Sequence, residues 1–332
     1  MGRWHIEGYR GHPACRVVAI ADPDAARLAE IGDKFDVPRR YESADEMLKN
    51  EKLDVVSVAT PNKYHKPLTI AALKAGAHVL CEKPMAMNAR EAREMLAAAK
   101  ACGRRLMINF SYRFNEQSQA LKREVESGVL GKVYFARTVW HRSRGIPGFG
   151  GWFGRKMLSG GGPLIDLGVH RLDLALWLMG YPKPVWVLAN AYHHLGSSMA
   201  RKAKKSFDVE DMAVGFIKFA DGSALEIEAS WASNRPEAEF METRLFGTKG
   251  GLLQHNVDEG YRFEAELHLE KGGKVVRKTP RRAKATSAMY HFVDSIVNRK
   301  PHSATGEEGV TVMRLLDAIY ASAKKGKPVK TA

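Results

Sequence analysis

A chain of 332 residues with a net charge of +15 and three cysteines is long enough for two domains, each with its own core, and too poor in cysteine for a disulfide-built secreted scaffold. Its basic residues are scattered apart from the 201–205 and 278–284 clusters, and no helix-turn-helix, RNP or zinc-finger pattern accompanies them. The charge therefore reads as attraction for anionic small ligands rather than nucleic-acid binding. No basic-then-apolar leader follows Met1, and the longest apolar stretch, around Leu172–Met179, is interrupted by Asp173; no membrane span is expected, and a cytoplasmic protein is.

Residues 3–10 read as a helix and Arg16–Ala21, a Val/Ile-rich run, as a buried strand. A helix follows over Asp24–Lys34, and Ser43 with Glu46 forms a capping box for a short one. Asp54–Ala59 is a second strand, Tyr64–Ala75 a helix closed by Gly76, and Ala77–Cys81 a third strand. Asn88 and Glu91 open a helix to about Cys102, and Arg105–Asn109 is a fourth strand. This alternation predicts an α/β domain over residues 1–113, a Rossmann-type doubly wound parallel sheet. The glycine fingerprint of such a domain is incomplete. Gly2 stands where the last glycine would lie, roughly twenty residues before Asp22. The first strand and two glycines are expected to be missing, with the true start upstream.

The pattern changes at Asn115. A helix to Ser127 ends at Gly128, and strand-like alternation then occupies Val133–His141, Val185–Tyr192, Ala213–Phe219, Ala224–Trp231 and Thr243–Phe246. Turns are expected at Ala220–Ser223 and Gly247–Gly251, one helix at Leu164–Met179, and two more at Ser287–Asn298 and Glu307–Lys324. Residues 114–332 are thus expected to form an α+β domain on a large, mostly antiparallel sheet, with the last helix returning to the first domain. A broad sheet without helical cover on one face predicts a homo-oligomer, dimer or tetramer.

Four segments carry candidate chemistry. Asp22, after the first visible strand, is placed to accept ribose hydroxyls and to repel a 2′-phosphate, favouring NAD over NADP; it also suits a turn before Pro23. Thr60-Pro61-Asn62, with His65 beyond, leaves a strand end where open α/β sheets bind ligands, and also suits entry to a helix. Glu82-Lys83-Pro84 leaves the next strand; a lysine there can enter a cleft, although an isolated lysine is ordinarily a solvated charge. Ser159 through Asp173 holds three glycines followed by Asp166, His170 and Asp173 at helical spacing, a histidine with carboxylates on one face that suits general-base chemistry. Metal binding is the rival there, but no third His or Cys is near, so no metal is expected.

Together the Glu82-Lys83-Pro84 segment, the glycine run ending at His170, and Thr60-Pro61-Asn62 with His65 resemble the Gfo/Idh/MocA oxidoreductases, a family of glucose–fructose oxidoreductase-like and inositol dehydrogenase-like enzymes. The resemblance implies hydride transfer between NAD, or less favourably NADP, and a secondary alcohol of a sugar or polyol. It implies Lys83 and His170 as catalytic residues, with Asp166 catalytic or substrate-binding. It implies a cofactor lined by Gly2, Asp22, Thr60, Pro61, Asn62, His65, Glu82, Lys83 and Trp152. Asn109, Tyr112 and Arg113 are expected to border the substrate, and Arg142, Arg144 and the aromatic 149–153 stretch point to a polar ligand beneath aromatic rings. A cofactor-recycling glycosidase or epimerase and a non-catalytic dinucleotide-binding regulator are the alternatives within the family.

Overall fold

A computed structural model describes residues 1–331. The chain divides into two compact units, Met1–Asn109 with Thr286–Val310, and Phe110–Ala285 with Thr311–Ala332.

The first unit opens with helix α1 (Gly2–Arg10), whose Ile6 is buried against Phe35 and Val37. Then come β1 (Ala19–Ala21), α2 (Ala25–Lys34), β2 (Arg39–Tyr41), α3 (Ala44–Asn50), β3 (Val55–Val58), α4 (His65–Lys74), β4 (His78–Cys81), α5 (Ala89–Ala101) and β5 (Leu106–Ile108). Local chemistry sets the helix ends. The Asp24 carboxylate accepts Arg27 N at 3.1 Å, Asn88 Oδ1 accepts Glu91 N at 3.0 Å, and Gly76 adopts φ +91° where α4 stops. Ser43 precedes α3 but makes no side-chain cap hydrogen bond, so it does not make its half of the expected capping box.

All five strands pair in parallel, as the helix–strand alternation requires, but in two separate sheets: β1 with β2, and β3-β4-β5. Among the described residues no strand pairs with the second edge of β1 or of β3. The first strand is shorter than Arg16–Ala21 and lies half exposed. The three-stranded sheet is the better buried, with Val58, Val79, Leu80 and Ile108 at 3% exposure or less. Strand β2 was not anticipated because Arg39 and Arg40 give it no apolar periodicity.

In the second unit a nine-stranded sheet is built from β6 (Val133–Arg142), β7 (Pro184–Tyr192), β8 (Met212–Phe219), β9 (Ala224–Ser230), β10 (Glu239–Gly247), β11 (Gly250–Val257), β12 (Arg262–Lys271), β13 (Lys274–Lys278) and β14 (Val329–Lys330). Their order is β13-β12-β11-β10-β6-β9-β8-β7-β14, antiparallel throughout except for the β6–β9 pair. The β8–β9 hairpin turns at Ala220–Ser223, where Asp221 Oδ1 accepts both the amide and the hydroxyl of Ser223. Strands β12, β13 and β14 went unforeseen, since charges interrupt the alternation and β13 is exposed at every position.

The helices of this unit are α6 (Glu116–Glu126), the single turn α7 (Lys156–Ser159), α8 (Val169–Met179), α9 (Leu195–Lys202) and, from Thr311 on, the long helix Gly306–Lys325. The expected helix over Leu164–Met179 begins as a π-helical turn, Leu164–Gly168, before α8. Helix α8 lies on the sheet, where Thr138 Oγ1 donates to Arg171 O at 3.3 Å. Opposite that face, Leu188 and Phe216 are 45% and 37% exposed beside the fully buried Val187 and Ile217, so one sheet face is covered and the other open. No helix among the described residues is long and apolar enough to cross a membrane.

Candidate active site

In the first unit the carboxyl ends of β3, β4 and β5 deliver the loops that the sequence singled out. Glu82 follows β4 and is buried. Its Oε1 accepts from Asn109 Nδ2 at 2.8 Å and lies 2.7 Å from His5 Nε2, while Oε2 accepts the Lys83 amide at 3.1 Å. The other ring nitrogen of His5 is 2.8 Å from Ser57 Oγ, which also pairs with the Tyr9 hydroxyl at 2.7 Å. Burial alone would raise the Glu82 carboxyl, but His5, Asn109 and Lys83 outweigh it and hold its pKa at about 2. A carboxylate so stabilised is a fixed negative charge directly before Lys83, whose peptide bond to Pro84 is cis.

His65 is fully buried, with Nδ1 2.7 Å from Pro84 O and Nε2 2.9 Å from Thr60 O. Burial lowers its pKa against the pull of those two carbonyls. A neutral ring can donate to only one of them. His65 therefore braces the Thr60 and Pro84 loops against each other. The expectation that it lines the cofactor is corrected to an indirect role, because no edge of the ring remains exposed. Pro61 and Asn62 open a 3-10 turn in which Asn62 is buried.

Asp22 carries the turn reading that the sequence allowed: its Oδ1 accepts Asp24 N at 2.9 Å, and its Oδ2 stands 3.6 Å from Arg27, half exposed. Gly2 begins α1, whose N-cap makes no side-chain hydrogen bond, and a Cβ there would meet nothing within 4 Å. The open α1 start, a half-exposed carboxylate after β1 and polar loops at three parallel strand ends fit a dinucleotide's pyrophosphate, ribose and nicotinamide ends.

In the second unit the glycine run is a tight turn with no room for side chains. Gly160 adopts φ +86°, a Cβ on Gly161 would lie 2.1 Å from the Tyr320 hydroxyl, and one on Gly162 would lie 2.1 Å from Glu210 O. The buried Glu210 carboxylate accepts Gly162 N at 2.9 Å, Leu164 N at 3.2 Å and the Tyr320 hydroxyl at 2.8 Å. Burial raises its pKa in spite of these donors. Glu210 thus holds the turn from which Asp166 and His170 project. Asp166 Oδ2 accepts the indole N–H of the fully buried Trp231 at 3.0 Å. The His170 ring meets Tyr112 edge-on at 4.9 Å between centroids and lies 5.7 Å from Trp140.

Two expectations are corrected here. Asp173 is engaged elsewhere than at His170: its carboxylate is buried against Arg113 Nε at 2.8 Å and the Tyr181 hydroxyl at 2.7 Å. Arg113, expected beside the substrate, is itself fully buried in that ion pair. Trp152 starts a 3-10 turn and stacks on Phe153 at 3.9 Å. Arg171, beside His170, is a fully buried cation with no carboxylate in ion-pair range among the described residues. It is caged by Tyr112 (4.6 Å), Phe263 (5.1 Å) and Trp140 (5.3 Å), and burial lowers its pKa.

Sequence reasoning missed His5, Ser57, Glu210, Tyr320, Trp231 and Arg171, none of which carries a local pattern. No group of three or more His, Cys, Asp or Glu residues is placed to hold a metal ion among the described residues.

Comparison with known proteins matches residues 1–110 to a family described as "Oxidoreductase family, NAD-binding Rossmann fold" and residues 122–331 to "Oxidoreductase family, C-terminal alpha/beta domain". The D-glucoside 3-dehydrogenase of Escherichia coli K12 is 32% identical over 98% of this chain and 93% of that protein. The D-apiose dehydrogenase of Paraburkholderia graminis is 27% identical over 99% of this chain and 86% of that protein. An aldose-aldose oxidoreductase from Caulobacter crescentus, solved with glycerol, superposes with TM-score 0.84 at 28% identity, covering 99% of this chain and 95% of that one.

Proposed function

Because the chain belongs to the Gfo/Idh/MocA family of NAD-binding oxidoreductases, we propose that it reversibly oxidises a secondary alcohol of a sugar or polyol, with Lys83, Asp166 and His170 as its working side chains. The single observation that carries the assignment of residues is the Glu210-held glycine turn, which fixes the start of the segment bearing Asp166 and His170. A rigid turn of this kind holds an acid–base group in a productive geometry without paying for it in each turnover.

Bound NAD supplies the hydride acceptor. His170 takes the hydroxyl proton, and Lys83 assists it as a hydrogen-bond donor. Asp166, oriented by Trp231, accepts a hydrogen bond from a neighbouring substrate hydroxyl. Asp22 accepts the ribose hydroxyls and disfavours a 2′-phosphate. Gly2, Thr60, Pro61, Asn62, Glu82 and Trp152 line the cofactor, and Tyr112 the substrate. Residues 1–113 are proposed as the dinucleotide-binding domain, to whose compact unit residues 286–310 also belong, and the rest of 114–332 as the substrate domain. The open sheet face bearing Leu188 and Phe216 supports a homo-oligomer. Three unpaired cysteines support a cytoplasmic setting.

The test is a panel of sugars and polyols with NAD and NADP, followed by absorbance of the reduced cofactor. Net NADH formation is expected. Product without net NADH identifies a cofactor-recycling enzyme instead, and no product with any sugar overturns the reading.

A further inference from the structure

We infer that the second unit carries a subsite for a second sugar ring, so that the preferred substrate is a disaccharide and not a free monosaccharide. This rests on the reading above of the chain as a sugar dehydrogenase. The site is an open hollow of about 410 Å³ in the surface between the start of α6 and the start of β12. Tyr112, Tyr261 and Phe263 give it an aromatic wall, with Tyr112 edge-on to Phe263 at 5.6 Å.

That wall continues directly to the proposed base. Tyr112 lines the cavity and also meets the His170 ring at 4.9 Å. A ligand in the cavity is therefore one side chain away from the residue that removes the proton. This spacing suits a molecule whose reacting ring sits at His170 and whose next ring lies against the wall.

Tyr261 argues for a built surface. It is 59% exposed, yet its hydroxyl accepts from Arg142 Nη2 at 2.7 Å and donates to Glu239 Oε1 at 3.1 Å. Arg142 Nε closes the triangle by donating to the same Glu239 oxygen at 2.8 Å. An exposed ring that needs only to be solvated requires no such anchoring; one that a ligand stacks on gains affinity from being fixed beforehand.

The polar groups of the cavity select the ligand class. Ser111 and Gln117 bring a hydroxyl and an amide to its lining. The one cation, Arg262, is already 2.8 Å from Asp258, so no net charge awaits an anion. A neutral ligand with an apolar C–H face for the rings and a margin of hydroxyls for the amide and hydroxyl is a pyranose.

The experiment uses the full chain with NAD. For each monosaccharide oxidised, kcat/KM is compared with that of disaccharides carrying the same sugar at the non-reducing end. The best disaccharide is expected to exceed its parent sugar by about tenfold, the scale of one aromatic stacking contact. Tyr261→Ala is expected to erase that ratio, and Tyr261→Phe, which keeps the ring but loses its anchor, to leave only part of it. A missing advantage, or one that survives Tyr261→Ala, overturns the subsite while leaving the sugar dehydrogenase reading intact. If no sugar reduces NAD, that reading fails instead, and calorimetric titration with the disaccharides decides the subsite: saturable binding lost in Tyr261→Ala supports it, and absence of binding overturns it. Thermal unfolding checks that Tyr261→Ala folds; should it not, Gln117→Ala provides the same readout.

Discussion

Glu210 and Gly162 are locked together twice: the carboxylate accepts the glycine amide at 2.9 Å, and the Glu210 carbonyl lies where a Cβ on Gly162 would have to be, 2.1 Å away. The turn before Asp166 is thus specified both by what Glu210 offers and by what it excludes. Because the obstacle is backbone, it cannot rotate aside. Gly162→Ala is expected to cost about 1–3 kcal/mol, the range for forcing extra atoms into a filled site, and to lower turnover with it. Thermal unfolding and steady-state rates measure the two effects; an unchanged melting temperature would show that the turn is looser than this geometry.

Removing the proposed proton-transfer groups isolates chemistry from folding. Lys83→Ala and His170→Ala are each expected to lower kcat about 10²–10⁴-fold, the usual scale for a lost acid–base group. Circular dichroism and NAD binding should be largely retained. Unchanged turnover in both variants would refute the roles assigned to them.

Arg113 provides a test in which stability and catalysis separate. Its guanidinium and the Asp173 carboxylate are both essentially inaccessible to water. Arg113→Ala leaves a buried charge unpaired, at a cost of about 3–5 kcal/mol. Pairing it with Asp173→Ala should recover part of that loss, because the second change removes the stranded charge. Denaturant unfolding of both single variants and the double variant checks the coupling. A raised KM at unchanged stability would restore Arg113 to the substrate site.

Glu82 makes the fold sensitive to acid. Its folded pKa of about 2 lies below the ordinary value of 4.5, so it binds protons more weakly in the folded chain than in the unfolded one. The stabilisation is fully present above pH 4.5 and is lost as pH falls towards 2, amounting to on the order of 3 kcal/mol for a shift of this size. Glu82→Gln should therefore unfold at a lower temperature than the natural chain near neutrality, and the gap should close as pH falls through that window. A gap that stays constant from pH 6 to pH 2 would mean that the charge is not what Glu82 contributes.

Much of the architecture was readable in advance because it is written in local patterns. Asp24 and Asn88 announced their helices through short side chains that reach the amides of Arg27 and Glu91. The Ala220–Ser223 turn announced the β8–β9 hairpin. Strands such as β2 and β13 escaped because their stability comes from pairing with a neighbour, which leaves no periodicity in a run like Arg39-Arg40-Tyr41 or Lys274–Lys278. The π-helical turn at Leu164–Gly168 escaped for a related reason: helical spacing predicts a face, and one local change of pitch redirects every residue beyond it.

The sequence by itself determined the family, through Lys83, Asp166 and His170 occurring in order with their glycine run, and with it the reaction class. The roles we propose for those residues are on ligands, where chemistry dictates residue type and spacing, and such a pattern survives in one dimension. Only the tertiary structure decided what holds them. Glu210 and Tyr320 reach the glycine turn from 48 and more residues away, and His5 reaches Glu82 across 77. Only burial showed that Arg113 and His65 belong to the scaffold. A buried hydrogen bond is set by proximity after folding, and proximity between distant segments leaves no spacing to read.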